Sequence, residues 1–459
     1  MNAGKSSMVS LFFDEALLPQ GFARNVRLSI EDGVIERIES AALAKPGEER
    51  HAIGLPGMPN LHSHAFQRGM AGLAEVRGPS SDSFWTWREV MYRFALTMEP
   101  DDVEAVAAQL YVEMLEAGFT RVGEFHYLHH GRDGKPYDQL AEMAARIAAA
   151  SNETGIGLTL LPVFYAHGGF GGKPPDAGQR RFVNDLDRFA RLMEESRHAL
   201  SGLEGARLGV APHSLRAVTA PELTSLVPLA RGGPIHIHVA EQTKEVEDCL
   251  SWSGARPVKW LLAHAPVDKQ WCLIHATHMT ENETRAVASA GAVAGLCPIT
   301  EANLGDGTFN APEFMESGGE FGIGSDSNVL LGVADELRQL EYSQRLRHRA
   351  RNVMAGRENR STGRVLYENA LSGGARALGE AKGGLAAGLP ADMLSLEADH
   401  PALIGRSGDA LLDAFVFAAQ GSMVDCVWRA GRKLVERGRH RRREAVLARF
   451  RAVMAKLLA

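Results

Sequence analysis

Residues 26–40 read VRLSIEDGVIERIES, with apolar and polar positions alternating on both sides of Asp32-Gly33. Period-two alternation marks a half-buried strand, and Asp-Gly between two such runs predicts a tight hairpin. This texture fills residues 8–53 and returns near 390–440, where ADMLSLEAD and MVDCVWRAGRKLVERG predict strands, the last two joined through Ala430-Gly431. Two strand-rich ends predict one small β domain assembled from both termini.

Between them the pattern changes. Apolar runs near 53–62, 119–126, 157–165, 206–212, 234–240, 271–275, 290–297 and 321–325 alternate with helical stretches such as 101–117 and 281–289. Strand runs separated by helices predict an α/β chain with a parallel sheet, here a (β/α)8 TIM-type barrel. The structural alternative is a doubly wound open sheet, but no GxGxxG follows the first run. The expected organisation is a composite small β domain from 1–55 and 385–440, a barrel from 56–384 and a C-terminal helix at 441–459. The Gly/Pro-rich stretch GGFGGKPPDAGQ (168–179) follows the third run, as a lid or as a plain surface loop.

Of 459 residues, 45% are apolar and 23% charged, ordinary for a globular enzyme, and the net charge of −6 argues against nucleic acid or an anionic membrane as partner. The local exception, RGRHRRR at 437–443, leads into the terminal helix and reads as its solvated basic start. Four cysteines without a CxxC pair fit a reduced, cytoplasmic chain, and no apolar stretch reaches the ~20 residues of a membrane helix.

The candidate chemistry begins in GLPGMPNLHSHAFQRGM (54–70). Side chains two apart on a strand face the same way, so His62 and His64 form a two-armed ligand at the mouth of the barrel. The fifth run ends HIHVAE, with His238 and Glu241. The sixth ends LIHATH, with His275, and the eighth ends GSDS, with Asp326. Imidazole and carboxylate at four strand ends predict a metal site of the Zn2+ or Fe2+ type. His236 lies deeper on the same face as His238, as a core or supporting residue.

In this pattern, with HVAE, CPITEANLGDG and GIGSDS, the chain resembles the amidohydrolase superfamily, its deaminase branch in particular. The resemblance implies a metal held by His62, His64, His238 and Asp326, with Glu241 and His275 close by. The fourth run, LGVAPHSLR, lacks the bridging lysine or glutamate of binuclear members, so one ion per chain is expected, zinc by default.

Further polar residues stand near the same mouth: Gln67, Arg88 in SFWTWREVMYRF, Tyr127 in EFHYLHHG, and His213 and Arg216 in APHSLR. Guanidinium groups suit bidentate binding of carboxylates, which points to a small dicarboxylate substrate. PGMPNLHSHAFQRGMAGLAE, DSFWTWRE, GEFHYLHH and APHSLRAV closely resemble the formimidoylglutamate deiminases of bacterial histidine degradation. Members of that family convert N-formimino-L-glutamate and water to N-formyl-L-glutamate and ammonia. For metal-assisted hydrolysis of that C=N carbon the expected roles are Asp326 as proton acceptor, Glu241 as proton carrier and His275 as hydrogen-bond donor, and the resemblance implies a homodimer. The rival readings are a deaminase of a guanine- or adenosine-like heterocycle and a non-catalytic scaffold. His126, His129 and His130 offer a second metal site, disfavoured because no carboxylate accompanies them.

Overall fold

In the computed structural model, which describes residues 8–77, 84–419 and 421–459, strands Gly21–Glu31 and Val34–Glu39 pair antiparallel with Glu31 opposite Val34. Asp32 and Gly33 have φ of 48° and 80°, the two positive values that a type I′ turn requires. Ala430 and Gly431 repeat the device, with φ of 47° and 69°, between Val424–Arg429 and Arg432–Glu436. One eight-stranded sheet joins the two chain ends. Glu49–Pro56 is its seam, parallel to Val9–Leu18 and antiparallel to Met393–Leu396. Leu11, Phe13, Leu28, Ile30, Met393 and Trp428 pack into a core of its own; burying each such side chain contributes about 1.5–3 kcal/mol.

The middle of the chain forms two sheets of parallel strands. Met58–Ser63, Phe119–His126, Gly157–Phe164 and Arg207–Leu208 make the first, with Ala211–Pro212 also beside Gly157–Phe164. Ile235–Val239, Trp271–His275, Val293–Leu296 and Glu320–Ile323 make the second. Isolated parallel bridges link the sheets at both edges, Val210 to Ile235 and Ser214 to His238 at one and Ser63 to Asp326 at the other.

Two of the expected strand runs need correction. The run at 53–62 serves two sheets, because the chain passes from one to the other at Gly57. A Cβ there would stand 2.3 Å from Thr120 Cγ2. An unbroken apolar run hides this, since both halves are buried. The run at 206–212 splits into two-residue pieces around Gly209, where a Cβ would meet the Pro234 carbonyl at 2.4 Å.

The helix expected at 101–117 runs Pro100–Glu116, started by Pro100 and a Glu99/Asp102 capping box. The terminal helix is Arg443–Leu457. Its basic start is not simply solvated: Arg442 pairs with Glu153 at 3.2 Å and Arg443 with Glu116 at 2.5 Å, while Lys456 reaches Asp102 at 2.7 Å. Among the described residues no helix is long and apolar enough to cross a membrane.

Candidate active site

The C-terminal ends of the parallel strands bring the histidines together. His62 lies within Met58–Ser63 and His64 just beyond it, His238 within Ile235–Val239, His275 at the end of Trp271–His275, and Asp326 three residues after Glu320–Ile323. Ligand atoms of His62, His64, His238 and Asp326 all lie within 4.8 Å of one another, and all four residues are buried. His62 Nε2 is 3.0 Å from His238 Nε2; Asp326 Oδ1 is 3.4 Å from His62 Nε2 and 3.3 Å from His64 Nε2.

The far ring nitrogens set the tautomers. His64 Nδ1 lies 2.9 Å from the Phe125 carbonyl, and His238 Nδ1 lies 3.1 Å from the His213 carbonyl. A carbonyl only accepts, so both Nδ1 atoms carry hydrogen, which leaves both Nε2 atoms as the ones free to offer lone pairs inward. Burial pushes the His62 pKa down to about 3 and that of His238 well below the ordinary value. Burial alone would raise Asp326, but the surrounding His62, His64 and His275 outweigh it and hold the carboxylate ionised. Lone pairs converging on a carboxylate repel one another unless a cation stands among them. This donor set of three imidazoles and one carboxylate fits a divalent ion, and the carbonyls behind it orient the rings of His64 and His238.

The site also carries backbone strain. Asp326 has φ of 46° and His275 φ of 65°, left-handed values that β-carbon-bearing residues adopt at a cost of about 1–2 kcal/mol. Asn328 holds the Asp326 turn: its Nδ2 donates to the Asp326 carbonyl (2.9 Å), the His64 carbonyl (3.0 Å) and Ser63 Oγ (3.2 Å). Asn328→Ala strands buried acceptors and removes a residue suited to its own φ of 58°. A loss of about 2–4 kcal/mol is expected, read as a lower urea midpoint at unchanged m-value. A midpoint equal to wild type would remove Asn328 from this role.

Beside the cluster, His275 Nε2 is 3.7 Å from Asp326 Oδ2 and 3.8 Å from Glu241 Oε1, and its Nδ1 is 3.2 Å from Glu301 Oε1. Burial disfavours the imidazolium, but Glu241, Glu301 and Asp326 outweigh it and push the His275 pKa up to about 10. Burial raises Glu241 to about 7 against the pull of His275 and Arg216. A carboxyl group with a pKa near neutrality can both hold and release a proton during a reaction.

His64, Gln67, Arg88, Tyr127, His213, Arg216, His238, Glu241, His275 and Asp326 line one cavity. His62 is fully buried and does not line it. Gln67 Nε2 donates to Tyr127 Oη at 2.9 Å. Arg216 Nη1 and Gln67 Oε1 are buried without a hydrogen-bond partner among the described residues. Arg88 stands 4.6 Å from the Trp85 ring centroid and Arg216 5.5 Å, so the helix Phe84–Ala95 supplies aromatic faces to both guanidinium groups. Asp82 and Ser83 of the DSFWTWRE motif lie outside the described residues. His213 has two parts: its ring faces the cavity, and its carbonyl fixes His238.

Three further histidines are held by backbone carbonyls. His129 Nε2 meets the Val163 carbonyl at 2.8 Å, His130 Nε2 the Val183 carbonyl at 2.9 Å, and His236 Nε2 the Ala377 carbonyl at 2.7 Å. The sequence reading missed Glu301, Asn328, Tyr92 and Tyr165. Glu301 lies inside CPITEANLGDG and Asn328 just after GSDS, so for these two the signal was adjacent.

Residues 53–434 match the family described as "Amidohydrolase family", and residues 8–52 match "Formimidoylglutamate deiminase HutF, N-terminal domain". The chain is 51% identical to the formimidoylglutamate deiminase of Pseudomonas aeruginosa, over 98% of this chain and 100% of that protein. Identity to the 8-oxoguanine deaminase of the same organism is 28%, over 94% and 95%. Among solved structures, an amidohydrolase from Brucella melitensis is 61% identical with a TM-score of 0.96, over 98% of this chain and 100% of that one. An adenosine deaminase from Xanthomonas campestris with bound zinc shares the fold, at 20% identity and a TM-score of 0.81 over 98% of each chain. The chain belongs to the amidohydrolase family and, within it, to the formimidoylglutamate deiminases.

Proposed function

We propose that this protein hydrolyses N-formimino-L-glutamate to N-formyl-L-glutamate and ammonia, a step of histidine degradation. The observation that carries the reading is a His3Asp cluster at the floor of a cavity, three of its four members lining it, together with two guanidinium groups, one of them with a buried unpartnered nitrogen. A heterocycle deaminase needs no such pair of fixed cations, whereas a substrate with two carboxylates does. A non-catalytic scaffold would have no reason to keep the whole donor set beside Glu241 and His275.

His62, His64, His238 and Asp326 would hold one ion, zinc in the first instance and Fe2+ as the alternative the donors admit. Such an ion lowers the pKa of water toward ~7 and so supplies a nucleophile at neutral pH. Asp326 takes the proton released by the attacking water. His275, with Nδ1 tied to Glu301, directs its Nε2 hydrogen at the oxygen as charge develops there. Glu241 delivers a proton to the terminal formimino nitrogen, so ammonia leaves rather than an amide anion, and the C–N bond to glutamate stays intact. Gln67, Arg88, Tyr127, His213 and Arg216 hold the carboxylates and with them the attack geometry.

The bridges at both sheet edges support a closed (β/α)8 barrel with the strand ends as its mouth. The sheet of both chain ends reads as the small domain on 1–55 and 385–440, with the terminal helix appended. A homodimer belongs to the same reading.

The test is ammonia release from N-formimino-L-glutamate against guanine and adenosine. The first is expected to be turned over with kcat/KM at least about 100-fold above either heterocycle; preference for a heterocycle would overturn the assignment. Truncating Arg88 or Arg216 to alanine is expected to lower kcat/KM by roughly 30- to 5,000-fold, as for one partner lost from a desolvated ion pair of about 2–5 kcal/mol. The loss should shrink for an analogue lacking the carboxylate that the arginine binds. Equal losses across analogues would contradict a two-carboxylate pocket.

A further inference from the structure

The stretch Asp176-Ala-Gly-Gln179 ends the Gly/Pro-rich loop and forms a short capped turn against the cavity wall. Asp176 accepts from Gly178 N at 2.8 Å, and Gln179 Oε1 accepts from Asp176 N at 2.9 Å. That reciprocal cap fixes which way the buried Gln179 amide faces, because its oxygen is committed to a backbone N–H. The NH2 therefore points to the cavity wall. It donates to Tyr165 Oη at 2.7 Å and to Tyr92 Oη at 3.3 Å. Gly178 makes the approach close: a Cβ there would stand 2.7 Å from Tyr92 Cδ2.

Both tyrosines line the cavity with Arg88 and Arg216. Arg88 stands 5.4 Å from the Tyr92 ring centroid, and the Tyr165 ring packs 4.6 Å from that of His213. A phenol oxygen that accepts from an amide keeps its own hydrogen to give. Two amide hydrogens and two hydroxyl hydrogens thus meet only two phenol oxygens. Among the described residues no carbonyl or carboxylate accepts from either hydroxyl. The group has more donors than acceptors, and both phenols line the cavity that Arg88 and Arg216 also line.

We infer that Gln179 is a positioning residue for substrate: by donating to Tyr165 and Tyr92 it turns a hydroxyl hydrogen toward the guanidinium wall, where it meets a substrate carboxylate. The inference rests on the dicarboxylate reading above and assigns to the 168–179 loop a part in anion selection. A group in the cap alone would act only on the turn, whereas this role depends on which way the hydrogens run.

Gln179→Glu separates the two. It keeps the oxygen that caps Asp176 N but replaces the donor by an acceptor, so the tyrosine hydrogens turn away from the cavity. The expected result is a KM for N-formimino-L-glutamate raised roughly 10-fold or more, with kcat falling less than KM rises, at a melting temperature close to wild type. The dissociation constant of glutarate, read by calorimetry without turnover, should rise in parallel. Gln179→Met, which loses cap and donor alike, and Tyr165→Phe provide second variants should the first fold poorly; both should also raise the glutarate constant. Unchanged KM and glutarate affinity in Gln179→Glu would overturn the inference, as would an effect confined to Gln179→Met, which marks a purely structural cap. If the wild-type protein releases no ammonia from N-formimino-L-glutamate, the functional reading fails instead, and the glutarate arm still decides whether Gln179 governs anion binding.

Discussion

Replacing Asp326 by asparagine is expected to leave a folded protein that has lost its metal and nearly all activity. The strand-end bonds survive, because Asp326 N to the His62 carbonyl (3.0 Å) and His64 N to the Asp326 carbonyl (3.0 Å) are main-chain contacts. Asparagine also tolerates the left-handed φ that alanine would resist. What disappears is the anionic oxygen facing His62 and His64, together with the acceptor for the water proton. The second loss alone is worth ~10²–10⁴-fold in rate, and the weakened ion adds to it. Elemental analysis should find about one divalent ion per wild-type chain and well under one in Asp326→Asn after brief exposure to chelator. Two tightly held ions in wild type would contradict the mononuclear reading; a variant that keeps both ion and turnover would remove Asp326 from the centre.

Glu241→Gln should behave differently, holding its metal while turnover falls by ~10²–10⁴-fold. Glutamine preserves the shape beside His275 but has no acidic proton to deliver to the departing nitrogen. Glu241 is not among the four residues that converge within 4.8 Å, so the ion should stay. Glu245 accepts from Ala240 N and Glu241 N, both at 3.1 Å, and keeps that backbone in place in the variant. Metal content equal to wild type with kcat collapsed is the expected pair of results. Near wild-type kcat would take Glu241 out of the mechanism.

The difference between what was legible in the sequence and what was not follows from the periods of the elements. His62 and His64 could be read as a pair because a strand repeats every two residues, and His238, His275 and Asp326 because each ends an apolar run. Arg88 and Arg216 were visible only as unusual charges after the first and fourth strand runs. Glu301 sits on the short helix Pro298–Leu304, and whether it meets His275 depends on the path between two strands. Tyr92, Tyr165 and Gln179 come from a helix, a strand end and a turn that meet only in the folded chain. The handover at Gly57 escaped notice because both sheets bury their share of one apolar run, which leaves no polar mark at the junction.

The central claim is that water attacks the formimino carbon and that ammonia, not glutamate, is the group expelled. Mass spectrometry of the products formed from N-formimino-L-glutamate in 18O-labelled water tests it most directly. The account predicts N-formyl-L-glutamate carrying a single 18O in its formyl group, with one equivalent of ammonia. Glutamate and labelled formamide, or no consumption of the substrate by metal-replete protein, would contradict it.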